Sequence, residues 1–521
     1  MKKLLLIILA LAFLSSNVKA ATSKTFFMPR SMHTDNLITG AQTNHFIAHN
    51  KKADRFLLDA TLFYQESTNG KDLARYILPE NKTEITIKGS TAGGDAPDIS
   101  GTWLQIGGKD ATTPLEELFF NSFSSKVSIR PELKRFGSTF YLYKALSSIC
   151  KSLWFDATFP FVQVETNLNL KEFDVQNAAE NRGNIEKFIL SDLGGDPARI
   201  EQATMYTMLN ATEGLNNPSW NYGKFSNGVQ KLAGLADITL KLGYYPIKKN
   251  SYFLNMYSQL IIPTGYKPTI KNVFEPIVGN GKHVGLGAGF AGEIQFFKDA
   301  CWEASFSSNF DYAYLLENRQ RRSFDLISNG EFSRYLLVFA PNIGKDTDHR
   351  TPTPGINIFS EIMKVTPQSE INWTNQLNLS CNNINFNIGY NLWWKDKEQV
   401  KLAHEWNKEV AIEHFSTQAD FPFRLESFSQ ASIKQSINQA GASDGLVGDN
   451  PIIKLVSKDN LNLNSASFPG AIGHTIFGSI GYATDWKKQP INLNFGSSYQ
   501  VNSSKKVMQD WKIWLECSLN I

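Results

Sequence analysis

Three glycines, Gly287, Gly289 and Gly292, have the GxGxxG spacing with which dinucleotide-binding proteins hold a pyrophosphate. That chemistry also needs a buried strand before the glycines, a helix after them and an acidic residue about 20 positions further on. Here the preceding stretch, 274–283, is turn-like, and the stretch 293–314 alternates between apolar and polar residues without a helical period. We therefore expect no nucleotide site, no other cofactor and no metal.

The same stretch instead has the two-residue period of a β-strand. Its even positions from Val284 to Phe296 are apolar apart from Gly292, whereas its odd positions carry glycine, alanine, glutamate or glutamine. The glycines then lie on the polar face of a strand, where they leave room for something opposite. We expect the N-terminal segment 22–46 or a helix beginning at Pro197 to fill that room.

The first 20 residues have the form of a secretory signal, with Lys2 and Lys3 before a short apolar run and cleavage expected between Ala20 and Ala21. Removing it leaves 49 of the 52 basic residues against 49 acidic ones. A neutral chain gives no electrostatic reason to bind nucleic acid. The segment 21–53 that follows is predicted to be either a plug inside the fold or a disordered periplasmic tail.

The four cysteines, Cys150, Cys301, Cys381 and Cys517, lie far apart in the sequence. This spacing favours isolated thiols over disulfide bridges and forms no zinc-binding cluster.

Alternation of apolar and polar residues recurs in segments of about 10–14 residues, which is longer than the usual soluble strand and long enough to cross a bilayer when tilted. Because hydrocarbon offers no water to open backbone groups, such strands must close into a barrel. We predict an all-β fold, a transmembrane antiparallel up-and-down barrel over 54–521. Twelve strands are expected, near 54–66, 138–148, 152–166, 234–246, 251–263, 283–297, 301–316, 370–381, 384–395, 473–485, 490–500 and 509–521.

The connections alternate between short turns and long loops, as they do in outer-membrane barrels. An even strand count then puts both termini in the periplasm and the long loops outside. Further segments near 124–131, 355–366 and 421–436 leave fourteen strands as an alternative. Two helices are predicted in the long loops, one capped by Asp196 and Pro197 and one over 397–415.

The signal segment, the repeated amphipathic hairpins and the alternating C-terminal strand resemble those of bacterial outer-membrane β-barrel channels, a class that includes porins and hydrophobic-solute transporters. The resemblance implies location in the outer membrane, contact with its lipid and with the barrel assembly machinery, and passive passage of small solutes. The chain ends in Ile521, whereas many members of that class end in Phe.

The faces opposite the apolar ones are predicted to line the lumen. They carry mostly uncharged amides, which suits small neutral polar or amphipathic solutes, and a few charges of mixed sign that we expect to be paired. The lining residues predicted on this basis are Gly285, Gly287, Gly289, Glu293, Gln376, Asn385, Asn387, Asn492, Asn494 and Lys512.

Two other functions are kept as alternatives to the channel. The long loops would also suit a barrel that anchors an adhesive or interacting surface. A lipid hydrolase would need an outward nucleophile and base, for which Ser503 and His474 are the candidates; the register predicts His474 opposite Val501. No third catalytic group is evident, so we expect no enzyme. Association of copies of the chain is left open.

Overall fold

A computed structural model describes most of the chain. The described residues are 23–40, 56–88, 96–101, 124–150, 152–176, 220–226, 228–249, 251–340, 353–415, 425–427, 430–435, 446–447, 450–451, 454–486, 489–502 and 507–520. The expected cleavage site at Ala20 and Ala21, the helix expected at Asp196 and Pro197, and Ser503 lie outside these residues.

Twelve antiparallel strands pair in sequence order and the last pairs with the first, so the sheet closes into a barrel. The strands are β1 (Phe56–Ser67), β2 (Glu132–Ala145), β3 (Leu153–Asn167), β4 (Ile238–Lys248), β5 (Tyr252–Ile262), β6 (Gly285–Lys298), β7 (Trp302–Leu315), β8 (Gln368–Cys381), β9 (Ile384–Lys395), β10 (Ala471–Trp486), β11 (Gln489–Asn502) and β12 (Asp510–Asn520). The predicted all-β barrel of twelve strands is confirmed, and so is the register of His474 opposite Val501.

One further strand, Gln230–Leu235, pairs with the outer half of β3 just before β4 begins. The two residues between them, Ala236 and Asp237, interrupt the ladder. This arrangement explains why the sequence predicts a single strand over 234–246: the chain continues along β3 through an irregularity that the alternation does not reveal.

The alternative of fourteen strands is wrong because the extra segments pair outside the barrel. Ser124–Ser128 joins a small sheet with Glu84–Lys88, Ile99–Ser100 and Lys171–Gln176, while Ser360–Thr366 pairs with Asn318–Ser323 and Gln399–Leu402. Leu425–Ser427 joins Leu337–Phe339, Thr353–Pro354 and Ala411–Phe415. Two-residue strands pair as Asp325–Leu326 with Leu461–Asn462 and as Leu446–Val447 with Asn450–Pro451.

Helices are few and short in the part of the chain that the structure describes. They are α1 (Met32–Asp35), α2 (Gly70–Ile77) and α3 (Gly355–Ile358), together with helical residues 37–40 after α1 and single 3-10 turns at Pro79–Asn81, Ser333–Tyr335, Lys458–Asn460 and Leu463–Ala466. No helix in these ranges is long and apolar enough to cross a membrane. The helix predicted over 397–415 is wrong: two short strands occupy it, because pairing with neighbouring loops overrides its local helical period.

The expectation of isolated thiols is wrong for one pair. Cys301 and Cys381 form a disulfide with their Cα atoms 5.1 Å apart. Pairing of β7 with β8 sets Trp302 opposite Cys381 and so brings the two cysteines together across 80 residues of sequence. Cys150 and Cys517 are free and exposed.

The barrel exterior is apolar and its interior is polar. Exposed side chains include Leu286, Phe290 and Ile294 on β6, and Ile480, Phe495 and Leu515 on β10 to β12. Buried side chains on the opposite faces are mostly amides, hydroxyls and charges. A closed sheet with this distribution is a transmembrane barrel, since its backbone groups are paired and its apolar face matches lipid.

Ile388→Arg is expected to prevent folding of the barrel in a bilayer, whereas Asn385→Arg is expected to permit it. Ile388 points outward with 59% of its surface exposed, and a cation in hydrocarbon near the bilayer centre costs about 2–4 kcal/mol. Asn385 has the inward parity on the same strand. The fraction of each variant that resists unfolding in unheated electrophoresis measures the difference; equal folded fractions would contradict the assignment of faces.

Candidate functional site in the barrel lumen

Residues 23–40 lie among the inward side chains of the barrel and the loops above it, and we call them the inner segment. All of them are buried except three that are half-buried. Ser23 and Lys24 donate backbone hydrogen bonds to Glu331 and Tyr76 in the outer loops, whereas Asn36 contacts Thr139 on β2. Residues 23–40 therefore run from the outer mouth into the lumen.

The outer part of the inner segment is held by apolar packing. Phe26, Phe27 and Met28 belong to one buried cluster with side chains of the outer loops. The ring of Phe27 packs against the rings of Tyr76, Phe274 and Phe468, with centroids 5.5–6.0 Å apart. Apolar burial of this kind favours a fixed position because it removes the rings from water.

The inner part of the segment is instead held by charged and amide groups. Arg30 donates to the side chains of Gln500 at 3.0 Å and Asn391 at 2.9 Å. Lys512 donates to Asp35 at 2.8 Å, and both side chains are almost fully buried. Hydrogen bonds that involve a charged group in a site of low dielectric are stronger than those between neutral groups. These contacts therefore contribute much of the free energy that keeps the segment in place.

A third charged contact joins the inner segment to two neighbouring strands. Glu370 on β8 bonds to His33 at 2.9 Å and to Lys395 on β9 at 2.9 Å. Lys395 lies opposite Glu370 in the register of the two strands. A glutamate shared between a wall lysine and a histidine of the segment fixes α1 against this side of the barrel.

The predicted lining residues all occupy inward positions, but they differ in what they contact. Lys512 bonds to the inner segment, and Asn387 donates to Ser479 of the adjacent strand at 3.0 Å. Glu293, Gln376, Asn492 and Asn494 are buried, and Asn385 is half-buried near the periplasmic turn. The prediction that the wall charges are paired holds for Lys241 with Asp311 and for Lys512 with Asp35.

The glycines that opened the sequence analysis face side chains of β5 and not the inner segment. Gly285, Gly287 and Gly289 lie directly opposite Ile261, Gln259 and Tyr257. A Cβ built at Gly289 would lie 2.5 Å from the Tyr257 ring, and one at Gly287 would overlap the carbonyl oxygen of Tyr312. Large side chains of the adjacent strand lie over the glycines, whereas residues 41–46 and the helix expected from Pro197 lie outside the described residues.

The outward His474 has no catalytic setting among the described residues. Its Nδ1 lies 2.7 Å from the hydroxyl of Tyr390, and the two rings stack. Aromatic pairs with one polar end are common where a barrel meets the membrane surface. The contact gives His474 a structural role, and the other candidate, Ser503, lies outside the described residues.

At the outer mouth, His283 is buried just before β6 and uses both ring nitrogens. Its Nδ1 donates to the carbonyl of Leu316 at 2.8 Å, and its Nε2 accepts from Gln320 at 2.8 Å. Burial lowers the pKa of His283 to about 4, so the ring stays neutral at ordinary pH. This histidine therefore does not change the charge of the mouth near neutrality.

No family model matches the chain, and no curated protein matches it. Among solved structures it is similar to an outer membrane channel from Pseudomonas putida F1, with 7% identity over 89% of this chain and 94% of that one and a TM-score of 0.34. It is also similar to a FadL homologue from Pseudomonas aeruginosa (8%, 97% and 99%, TM-score 0.27) and to the toluene transporter TbuX from Ralstonia pickettii (8%, 89% and 89%, TM-score 0.26). At such low scores the fold rests on the strand pairing of this chain itself.

Sequence reasoning missed the residues that fix the inner segment. Arg30, His33 and Asp35 lie in a stretch without a regular period, so their partners cannot be assigned from spacing. The wall partner Glu370 was placed at the edge of its predicted strand. The sequence does contain one signal for a partner inside the barrel. Lys512 and Lys395 are inward charges near strand ends, and charges buried in a filled lumen need partners of opposite charge.

Proposed function

We propose that this protein is an outer-membrane channel for the passive passage of small solutes, and that the inner segment closes its lumen. The observation that carries the proposal is the inner segment itself, which is buried in a polar lumen through hydrogen bonds and ion pairs. The polar contacts of its inner part, from Arg30 to Asp35, can be exchanged for water when the segment leaves, because both surfaces are hydrophilic there.

The proposal includes export through a signal cleaved between Ala20 and Ala21, assembly by the outer-membrane machinery, and lipid around the apolar belt. Residues 21–53 would then form the plug and its link to β1, and residues 54–521 the barrel. The amide-lined wall supports passage of neutral polar or amphipathic solutes. Part of that amide surface has another role in the closed state, since Asn391 and Asn372 bond to the inner segment.

Single-channel recording in planar bilayers tests the channel and its closure together. The full chain is expected to conduct weakly or in rare openings, and a variant lacking residues 23–40 is expected to conduct steadily. All twelve barrel strands lie outside the deleted residues, so this variant is expected to assemble. Unheated electrophoresis checks that it does. Silence of the correctly folded deletion variant would contradict the channel and favour a barrel that anchors surface loops.

A further inference from the structure

A cavity that is partly open to solvent lies between the inner segment and the barrel wall. On one side, the cavity is lined by residues of the inner segment between His33 and Gly40. Strands β1 to β5 and β7 provide the remaining walls. The charged and aromatic groups that matter here are Asp59, Asp156, Asp237, Asp311, Lys241 and Tyr257.

Acidic side chains outnumber basic ones in this cavity. Lys241 is the lysine among its lining residues, and it donates to Asp311 at 3.2 Å. His33 is bonded to Glu370 and not to any of the four aspartates. Asp59 accepts hydrogen bonds from Ser518 and Thr61, which are neutral. One lysine thus faces four carboxyl groups.

Two of these carboxyl groups, Asp156 and Asp237, have oxygens without a hydrogen-bond partner among the described residues, and Asp156 is the one that lies on a barrel strand. Asp156 is 3% exposed, and its Oδ2 accepts a hydrogen bond from the hydroxyl of Tyr141 at 3.0 Å. Its Oδ1 has no hydrogen-bond partner among the described residues. Lys241 lies opposite in the strand register, but its ammonium bonds to Asp311. Buried carboxylates are normally paired, so this oxygen marks a place for a cation.

Two amide donors of the cavity lack acceptors in the same described ranges. They are the Nδ2 atoms of Asn309 on β7 and of Asn36 on the inner segment, and both side chains are buried. An amide N–H seeks an oxygen. The cavity therefore presents free acceptors and free donors together, and the aromatic rings of Tyr141 and Tyr257 line it as well.

We infer that this cavity is a binding site for a small amino alcohol, whose ammonium group bonds to Asp156 and whose hydroxyl accepts from Asn309. The inference rests on the proposed channel function, for which it supplies a solute subsite beneath the inner segment. An organic cation fits better than a metal ion, because no cluster of three metal-ligating side chains is present in the described parts of the chain.

Calorimetric titration of the folded full chain in detergent at neutral pH tests the inference, with ethanolamine as the probe. Three matched compounds separate the contributions: propylamine lacks the hydroxyl, ethylene glycol lacks the ammonium, and glycolate is an anion. Ethanolamine is expected to bind saturably, propylamine more weakly, and the other two not at all. Equal binding of ethylene glycol and ethanolamine would overturn the cationic assignment, and equal binding of propylamine would overturn the hydroxyl contact.

Two variants locate the bound probe. Asp156→Asn keeps the shape of the side chain and removes its charge, and it is expected to weaken ethanolamine binding by more than about tenfold. Asp485→Asn removes an exposed carboxylate at the far end of β10 and is expected to leave the affinity unchanged. Unchanged affinity in correctly folded Asp156→Asn would overturn the site.

This experiment separates the site from the channel. If ethanolamine binds the full chain but the correctly folded deletion variant does not conduct, the binding site is supported and the channel is contradicted. Conductance without binding of ethanolamine to the full chain would retain the channel and overturn the site.

Discussion

Replacing Asp35 with asparagine is expected to release the inner segment from the lumen and to raise single-channel activity sharply. The substitution leaves the ammonium of Lys512 buried at 2% exposure opposite a neutral amide. Removing one partner of a buried ion pair destabilises its contact by about 3–5 kcal/mol, which corresponds to roughly a hundredfold or more in an equilibrium between closed and open lumen.

A second substitution should reverse this effect. In Asp35→Asn with Lys512→Met, no buried charge of the pair remains without a partner, so closure is expected to return towards that of the unmodified chain. Glu361→Gln is the matched control, because it breaks the half-buried ion pair with Lys408 in the outer loops and leaves the lumen intact. If the double variant stays as open as Asp35→Asn, the ion pair is not what holds the segment.

Gly287→Ala is expected to impair assembly of the barrel, although it adds one methyl group. The new Cβ would overlap the carbonyl oxygen of Tyr312 and lie 2.8 Å from Nε2 of Gln259. Relieving such an overlap requires movement of β6 relative to its neighbours, and overpacking typically costs about 1–3 kcal/mol. We expect a lower folded fraction and a lower midpoint of urea unfolding.

Gly292→Ala on the same strand is the matched control. A Cβ there would meet its nearest atom, the carbonyl oxygen of Phe253, at 3.4 Å, which is an ordinary contact. The unfolding midpoint of this variant should equal that of the unmodified chain. Equal midpoints for both alanine variants would show that β6 can shift without strain and that these glycines are not required for close packing.

The barrel could be predicted from the sequence because its two faces meet different solvents. Alternation over 10–14 residues locates all twelve strands, and the short turns set the register, as His474 opposite Val501 illustrates. The predicted bounds were least accurate for β2, which begins at Glu132, six residues before its predicted start. In its outer half Lys134 occupies the outward face, so the apolar face that defines a strand in lipid is interrupted there.

The contents of the lumen could be predicted only in part. Parity along a strand indicates which residues share the inward side of the sheet, because pleating alone determines the side that each residue occupies. The partners of Arg30 and Asp35 could not be predicted, since contacts across 361 and 477 residues depend on how an irregular segment enters the barrel. The disulfide between Cys301 and Cys381 was missed although the predicted strands 301–316 and 370–381 are neighbours in the barrel, because the cysteines were judged by their separation in the sequence.

The central claim, that residues 23–40 occupy the lumen, is tested most directly by thiol accessibility. Thr34→Cys and Ile149→Cys would be compared in a background with Cys150→Ser and Cys517→Ser, so that the introduced cysteine is the free thiol. Thr34 is 3% exposed inside the barrel, whereas Ile149 is 75% exposed in a short turn. With a charged maleimide, the folded protein is expected to react at least about tenfold more slowly at position 34, because labelling there requires the segment to open. Equal labelling rates at the two positions would contradict the claim.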